Sequence, residues 1–105
     1  LRGRHFRLPG GVKCVVGRDA RDNAALKAQR SSADVLLHTV DVPGPTALIP
    51  GAADDASITR AAGLCAAYAD CGSRPAVTIR MIRGETTEEQ RVAPLTKEQV
   101  LPWML

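Results

Sequence analysis

The chain has 105 residues, 45% of them hydrophobic, which suits one small domain with a modest core over residues 1–105. It contains no apolar run near the ~18–20 residues that span a bilayer, so we expect a soluble protein. The net charge of +3 conceals an asymmetry, because residues 1–30 carry eight basic and two acidic side chains, a balance of +6. Such a field attracts a polyanion or simply keeps the domain soluble, and charge alone does not separate the two.

The predicted elements follow from β-branched runs, turn residues and helix caps. Asp19 is the predicted N-cap of the first helix, Asp54 or Asp55 that of the second, and Gly72 its stop. A capping box at 96–99 opens a last short helix, which Pro102 limits. In chain order we predict strands over 5–8 and 12–16, a helix over 20–30, strands over 34–40 and 46–49, a second helix, a strand over 76–83, a polar hairpin loop over 84–89 and an edge strand over 90–93.

Turn signals at 9–11, 43–45 and 84–89 predict three hairpins and therefore a mostly antiparallel, mixed sheet. We expect an α+β domain with its two main helices packed on one face and a short C-terminal helix. The near-continuous apolar run over 34–40 indicates a central strand covered on both faces. In the strand over 76–83, Val77, Ile79 and Met81 are expected to face inward.

The junction between the second strand and the first helix is the strongest functional signal. Gly17 and Arg18 bring a permissive glycine and a guanidinium to a helix N-terminus, where phosphate binds well. Many strand–helix junctions look like this and bind nothing. We expect the cations of the amino-terminal third to form one phosphate cradle around the mouth of this helix.

Catalytic and metal-binding patterns are missing from the sequence. It has no nucleophile elbow, no glycine-rich nucleotide loop and no dinucleotide fingerprint, so we predict no catalytic residue and no cofactor. The three cysteines form no Cys-x-x-Cys pair, which argues against a zinc site and favours reduced thiols in a cytoplasmic protein. An enzymatic alternative would use His38 as acid or base.

Residues 10–50 resemble the NFACT-R RNA-binding domain family. The resemblance lies in Gly10–Asp19, Asp22–Leu26, Asp34-x-x-x-His38 and Asp41-Val42-Pro43-Gly44. It implies a non-catalytic domain that binds RNA, tRNA in particular, in a tRNA-modification or translation quality-control protein. A divergent branch of this family ends proteins that look like tRNA sulfur-transfer enzymes, and since the chain starts at Leu1 we expect the C-terminal fragment of such a longer protein.

The chain departs from the family pattern at three places, with Asp19 for asparagine, Leu36 for tryptophan and Pro45-Thr46 for Ser-His. Losing the tryptophan removes a stacking surface, so we expect recognition by shape and charge. The alternative to RNA binding is an assembly domain in which Trp103-Met104-Leu105 docks on another domain or a second copy. The residues assigned to the nucleic-acid interface are Lys13, Gly17, Arg18, Arg21, Asn23, Lys27, Arg30, His38 and Gly44.

Overall fold

Short runs of β-branched and apolar residues form six strands, and two alanine-rich segments form the long helices. The computed structural model describes residues 2–105. The strands are β1 (Arg4–Leu8), β2 (Val12–Val16), β3 (Val35–Thr39), β4 (Thr46–Ile49), β5 (Val77–Arg83) and β6 (Thr86–Val92). The helices are α1 (Ala20–Gln29), α2 (Asp55–Ala67) and α3 (Lys97–Val100), which a 3-10 turn at Leu101–Trp103 follows. The α+β class is confirmed.

All six strands form one sheet in the order β1-β2-β4-β3-β5-β6, and every neighbouring pair is antiparallel. The sheet is therefore not mixed. The three predicted turns each join adjacent strands, because β1–β2, β3–β4 and β5–β6 are hairpins. In β5, Val77, Ile79 and Met81 are buried as predicted.

The two main helices lie on opposite faces of the sheet, so the prediction of a shared face is wrong. Cys14, Leu37 and Ile49 belong to the core beneath α2, whereas Leu36 and Leu48 pack with Leu26 of α1. The strand order explains why. The crossovers β2-α1-β3 and β4-α2-β5 each skip one strand and move toward the β6 edge of the sheet. Their first strands, β2 and β4, run in opposite directions. If both crossovers are right-handed, as such connections nearly always are, their helices must lie on opposite faces.

Two predicted boundaries shift by more than one residue. Strand β6 begins at Thr86 rather than near residue 90, because the turn needs only Gly84, at φ +54°, and Glu85. Its polar sequence fits an edge strand whose first six residues are exposed. Helix α2 starts after the N-cap Asp54 and ends at Ala67, several residues before Gly72.

The outer edge of β1 is partly covered by the end of the chain. Met104 forms an antiparallel bridge with Phe6, and the Leu105 N–H donates to the His5 carbonyl at 3.0 Å. The predicted capping box is present, since Thr96 and Gln99 bond reciprocally at the start of α3. None of the helices in the described part of the chain is long and apolar enough to cross a membrane.

Candidate nucleic-acid interface

The junction between β2 and α1 is held by backbone and cap hydrogen bonds. The Gly17 N–H donates to the Thr46 carbonyl at 2.9 Å, which continues the β2–β4 pairing by one residue. Asp19 is the N-cap of α1, as predicted, and its carboxylate accepts from the Asp22 N–H at 2.9 Å. The start of α1 is therefore fixed against the end of β2 and the start of β4.

A cavity of about 260 Å³ opens beside this junction. It lies where the N-terminus of α1, the turn before β4 and the C-terminal end of α2 meet. We call it the helix-mouth cavity. Its lining residues are Arg4, Gly17, Arg18, Asp19, Ala20, Asn23, Gly44, Pro45 and Tyr68.

Arg18 is oriented by a buried carboxylate. Oδ2 of Asp22 accepts from the Arg18 backbone N–H at 3.0 Å and from its Nε at 2.9 Å. These bonds hold the pKa of Asp22 below its usual range. Arg2 adds a second cation, with its Nε 3.6 Å from Oδ1 of Asp22, an atom that is buried without a hydrogen-bond partner. The Nη groups of Arg18 make no hydrogen bond within residues 2–105, and its side chain is 54% exposed.

Gly17 and Asn23 have structural roles in the cavity wall. Oδ1 of Asn23 accepts from the buried Thr46 N–H at 3.0 Å, which ties α1 to β4. A Cβ on Gly17 would overlap with that same oxygen, so only glycine leaves room for the bond. Gly44 is similarly confined, because a Cβ there would lie 2.9 Å from the Ala69 Cβ.

Arg4 and Tyr68 are cavity residues that the sequence analysis missed. The Arg4 guanidinium lies 4.9 Å from the centroid of the Tyr68 ring, and this ring packs on Phe6 at 5.9 Å. A signal for Arg4 existed, because the turn at 9–11 sets the register that places it opposite Val16, next to the junction. Tyr68 comes from the end of α2 and carries no local signal.

The predicted interface residues lie in several places. The prediction that the cations of the amino-terminal third form one phosphate cradle is therefore wrong. Gly17, Arg18, Asn23 and Gly44 line the helix-mouth cavity. Arg21 is exposed in the first turn of α1, and Lys27 lies about 9 Å further along the helix. Lys13 is exposed on β2 near its hairpin turn. Their contact with RNA stays a prediction.

Arg30 and His38 make other contacts. The Arg30 Nη2 donates to the Gly84 carbonyl at 2.8 Å, tying the end of α1 to the β5–β6 turn. The His38 Nδ1 lies 3.0 Å from the Thr39 carbonyl oxygen. Neither residue lines the helix-mouth cavity, so their assignment to the interface rests on the sequence alone.

Comparison with family models shows the family of this chain. The family model described as "NFACT protein RNA binding domain" matches residues 3–104. Among curated proteins, none shows significant sequence similarity. The chain is similar in structure to the C-terminal part of the fibronectin/fibrinogen-binding protein from Streptococcus suis, with a TM-score of 0.87 and 18% identity. That match covers 100% of this chain and 50% of the other, so the chain spans half the length of that structure.

Proposed function

The chain belongs to the NFACT RNA-binding domain family, and we propose that it is a non-catalytic module that binds tRNA through phosphates at the helix-mouth cavity. RNA as the partner follows from the family, and tRNA is our narrower choice. The observation that supports this site is the orientation of Arg18 by buried Asp22. Because Asp22 engages Nε, the two Nη groups remain to donate to a phosphate.

The surroundings of Arg18 suit a sugar-phosphate chain. The first turn of α1 contributes backbone N–H groups and the positive end of its dipole. Arg4 and Arg2 add two cations against the two carboxylates of Asp19 and Asp22, so the three arginines leave a balance of +1. Tyr68 is the one aromatic residue lining the helix-mouth cavity, which favours weak sequence preference over base reading.

We place the module in a larger cytoplasmic protein of tRNA modification or translation quality control. The support for this setting is that the motifs at Gly10–Asp19 and Asp34-x-x-x-His38 resemble those of the NFACT RNA-binding domain family. In such a protein the domain would supply affinity for the RNA, while catalysis would belong to other domains.

The experiment measures tRNA affinity against salt for the native chain and three variants. Arg18→Ala should weaken binding about 10–100-fold at low salt, because a charge-assisted hydrogen-bond pair contributes roughly 1.5–3 kcal/mol. The slope of log K against log salt should fall by about 0.7–0.9, as for one phosphate contact. Arg18→Lys keeps the charge beside Asp22 and should bind with intermediate affinity.

Arg91→Ala is the matched control. Arg91 is an exposed arginine of β6, three strands away from β4 in the sheet, so this variant removes the same charge outside the cavity. Its affinity should stay within about twofold of the native value. Equal affinities for Arg18→Ala and Arg91→Ala, with both variants folded by circular dichroism, would overturn the proposed site. Because His38 does not line the helix-mouth cavity, His38→Ala should leave the affinity unchanged, in contrast to its assignment from the sequence.

A further inference from the structure

Two cations face each other on the β1–β2 hairpin, and within residues 2–105 neither forms an ion pair with a carboxylate. Arg7 lies directly opposite Lys13 in the antiparallel register, and both side chains are exposed. We call them the hairpin pair. The neighbouring pair Phe6 and Cys14 is buried in the core beneath α2, so alternation turns the hairpin pair toward the face that carries α1.

This arrangement is unfavourable for the isolated domain. Like charges directly opposite each other on antiparallel strands destabilise the pairing. Arg7 Nη1 donates a hydrogen bond to the Gly11 carbonyl at 3.4 Å, and neither Arg7 nor Lys13 makes an ion pair within residues 2–105. No acidic residue precedes Asp19 in the sequence, so the hairpin contains no carboxylate that could neutralise the pair.

The other end of the same sheet shows the opposite arrangement. In the β5–β6 hairpin Arg80 lies directly opposite Glu89, and the Arg80 Nε donates to Oε2 of Glu89 at 2.9 Å. Arg83 lies 4.0 Å from Glu88 across the same two strands. The β5–β6 hairpin therefore sets Arg80 and Arg83 near carboxylates across the strands, while the β1–β2 hairpin sets cation against cation. The contrast indicates that the charge on β1–β2 is balanced by a ligand.

We propose that the hairpin pair is a second contact for the RNA backbone, occupied by phosphates of the same strand that enters the helix-mouth cavity. This inference rests on the proposed function. Gly17 directly follows β2 and comes four residues after Lys13, a distance of about 13 Å at 3.3 Å per residue. A stacked strand advances about 3.4 Å per nucleotide, so phosphates about four nucleotides apart reach both places. The hairpin pair thus recognises the backbone of an oligonucleotide and not a single nucleotide.

The test asks whether one substitution raises the melting temperature and at the same time lowers the affinity for RNA. Lys13→Glu replaces a repulsion across the strands by an attraction, so the melting temperature should rise by about 1–8 °C. The same substitution should lower the affinity for tRNA and for a twelve-nucleotide uridine oligomer at least fivefold, with a shallower salt slope. Binding of a two-nucleotide oligomer, followed by chemical shift changes at Gly17 and Asn23, should be unchanged.

Lys97→Glu is the charge-matched control, because Lys97 is an exposed residue at the start of α3. If Lys13→Glu and Lys97→Glu bind the twelve-nucleotide oligomer equally well, the second contact is overturned, whatever happens to stability. A loss for Arg18→Ala but not for Lys13→Glu would leave the proposed function standing without the second contact. Failure of the native chain to bind any RNA would instead overturn the proposed function.

Discussion

Substituting Gly17 by alanine should destabilise the fold strongly although the backbone there is not strained. The φ angle of Gly17 lies outside the left-handed region, so alanine fits the backbone but not the space. Its Cβ would overlap with Oδ1 of Asn23 and lie 3.1 Å from Cγ of Asn23. Moving that side chain breaks its hydrogen bond to the buried Thr46 N–H, which costs about 1–3 kcal/mol. With overpacking added, the total is roughly 2–5 kcal/mol.

Thermal unfolding followed by circular dichroism measures this cost. For a domain of this size, 1 kcal/mol corresponds to about 4–8 °C, so Gly17→Ala should lower the melting temperature by about 8–40 °C. In an Asn23→Ala background, where the Thr46 N–H has already lost its acceptor, the same substitution should cost far less. Such non-additivity is the signature of a direct contact. A shift below about 5 °C, or additive effects in the double mutant, would refute the close-approach reasoning.

Two further predictions concern titratable groups. Burial raises the pKa of the Cys14 and Cys65 thiols to about 12. In a thiol titration of the native protein at pH 8, the half-buried Cys71 should therefore react first. Fast reaction of two or more thiols would contradict the burial of Cys14 and Cys65. Because Arg18 holds the pKa of Asp22 below its unfolded value of about 3.9, the stability it contributes is present above that pH and lost as pH falls through the folded pKa. Urea unfolding of the native chain should therefore lose stability between pH 5 and pH 2 more than Asp22→Asn does, and equal pH profiles would count against the ion pair.

The sequence predicted the hairpins well because their signals are local. Proline and glycine at 9–11 and 43–45 fix where the chain reverses, and the register of each hairpin follows from its turn. The local sequence does not show on which face of the sheet each helix packs, because that face depends on β4 lying between β2 and β3. One clue was nevertheless present, because the apolar run over 34–40 indicated a strand covered on both faces, and Leu36 and Leu37 are indeed buried on opposite sides.

The candidate site divides in the same way. The strand–helix junction contains Gly17, Arg18 and Asn23 within seven residues of sequence, so the sequence predicted that they contribute to one site. Arg4 and Tyr68 come together only through the fold and were missed. Asp22 was counted as an acidic residue and as part of the motif Asp22–Leu26, but its role was missed, because a sequence does not show that a carboxylate is buried against an arginine.

Helix α1 depends on this carboxylate more than a typical amphipathic helix would. The buried residues of α1 are Leu26 and Asp22. A typical amphipathic helix would bury a second apolar side chain, but α1 buries an ion-paired carboxylate instead. Charge therefore fixes the helix at the end where phosphate is proposed to bind. Because Asp22 takes Nε of Arg18 and leaves the Nη groups, binding a phosphate does not require this pair to break. At the proposed site the guanidinium is therefore oriented before RNA binds, which would lower the entropy lost on binding.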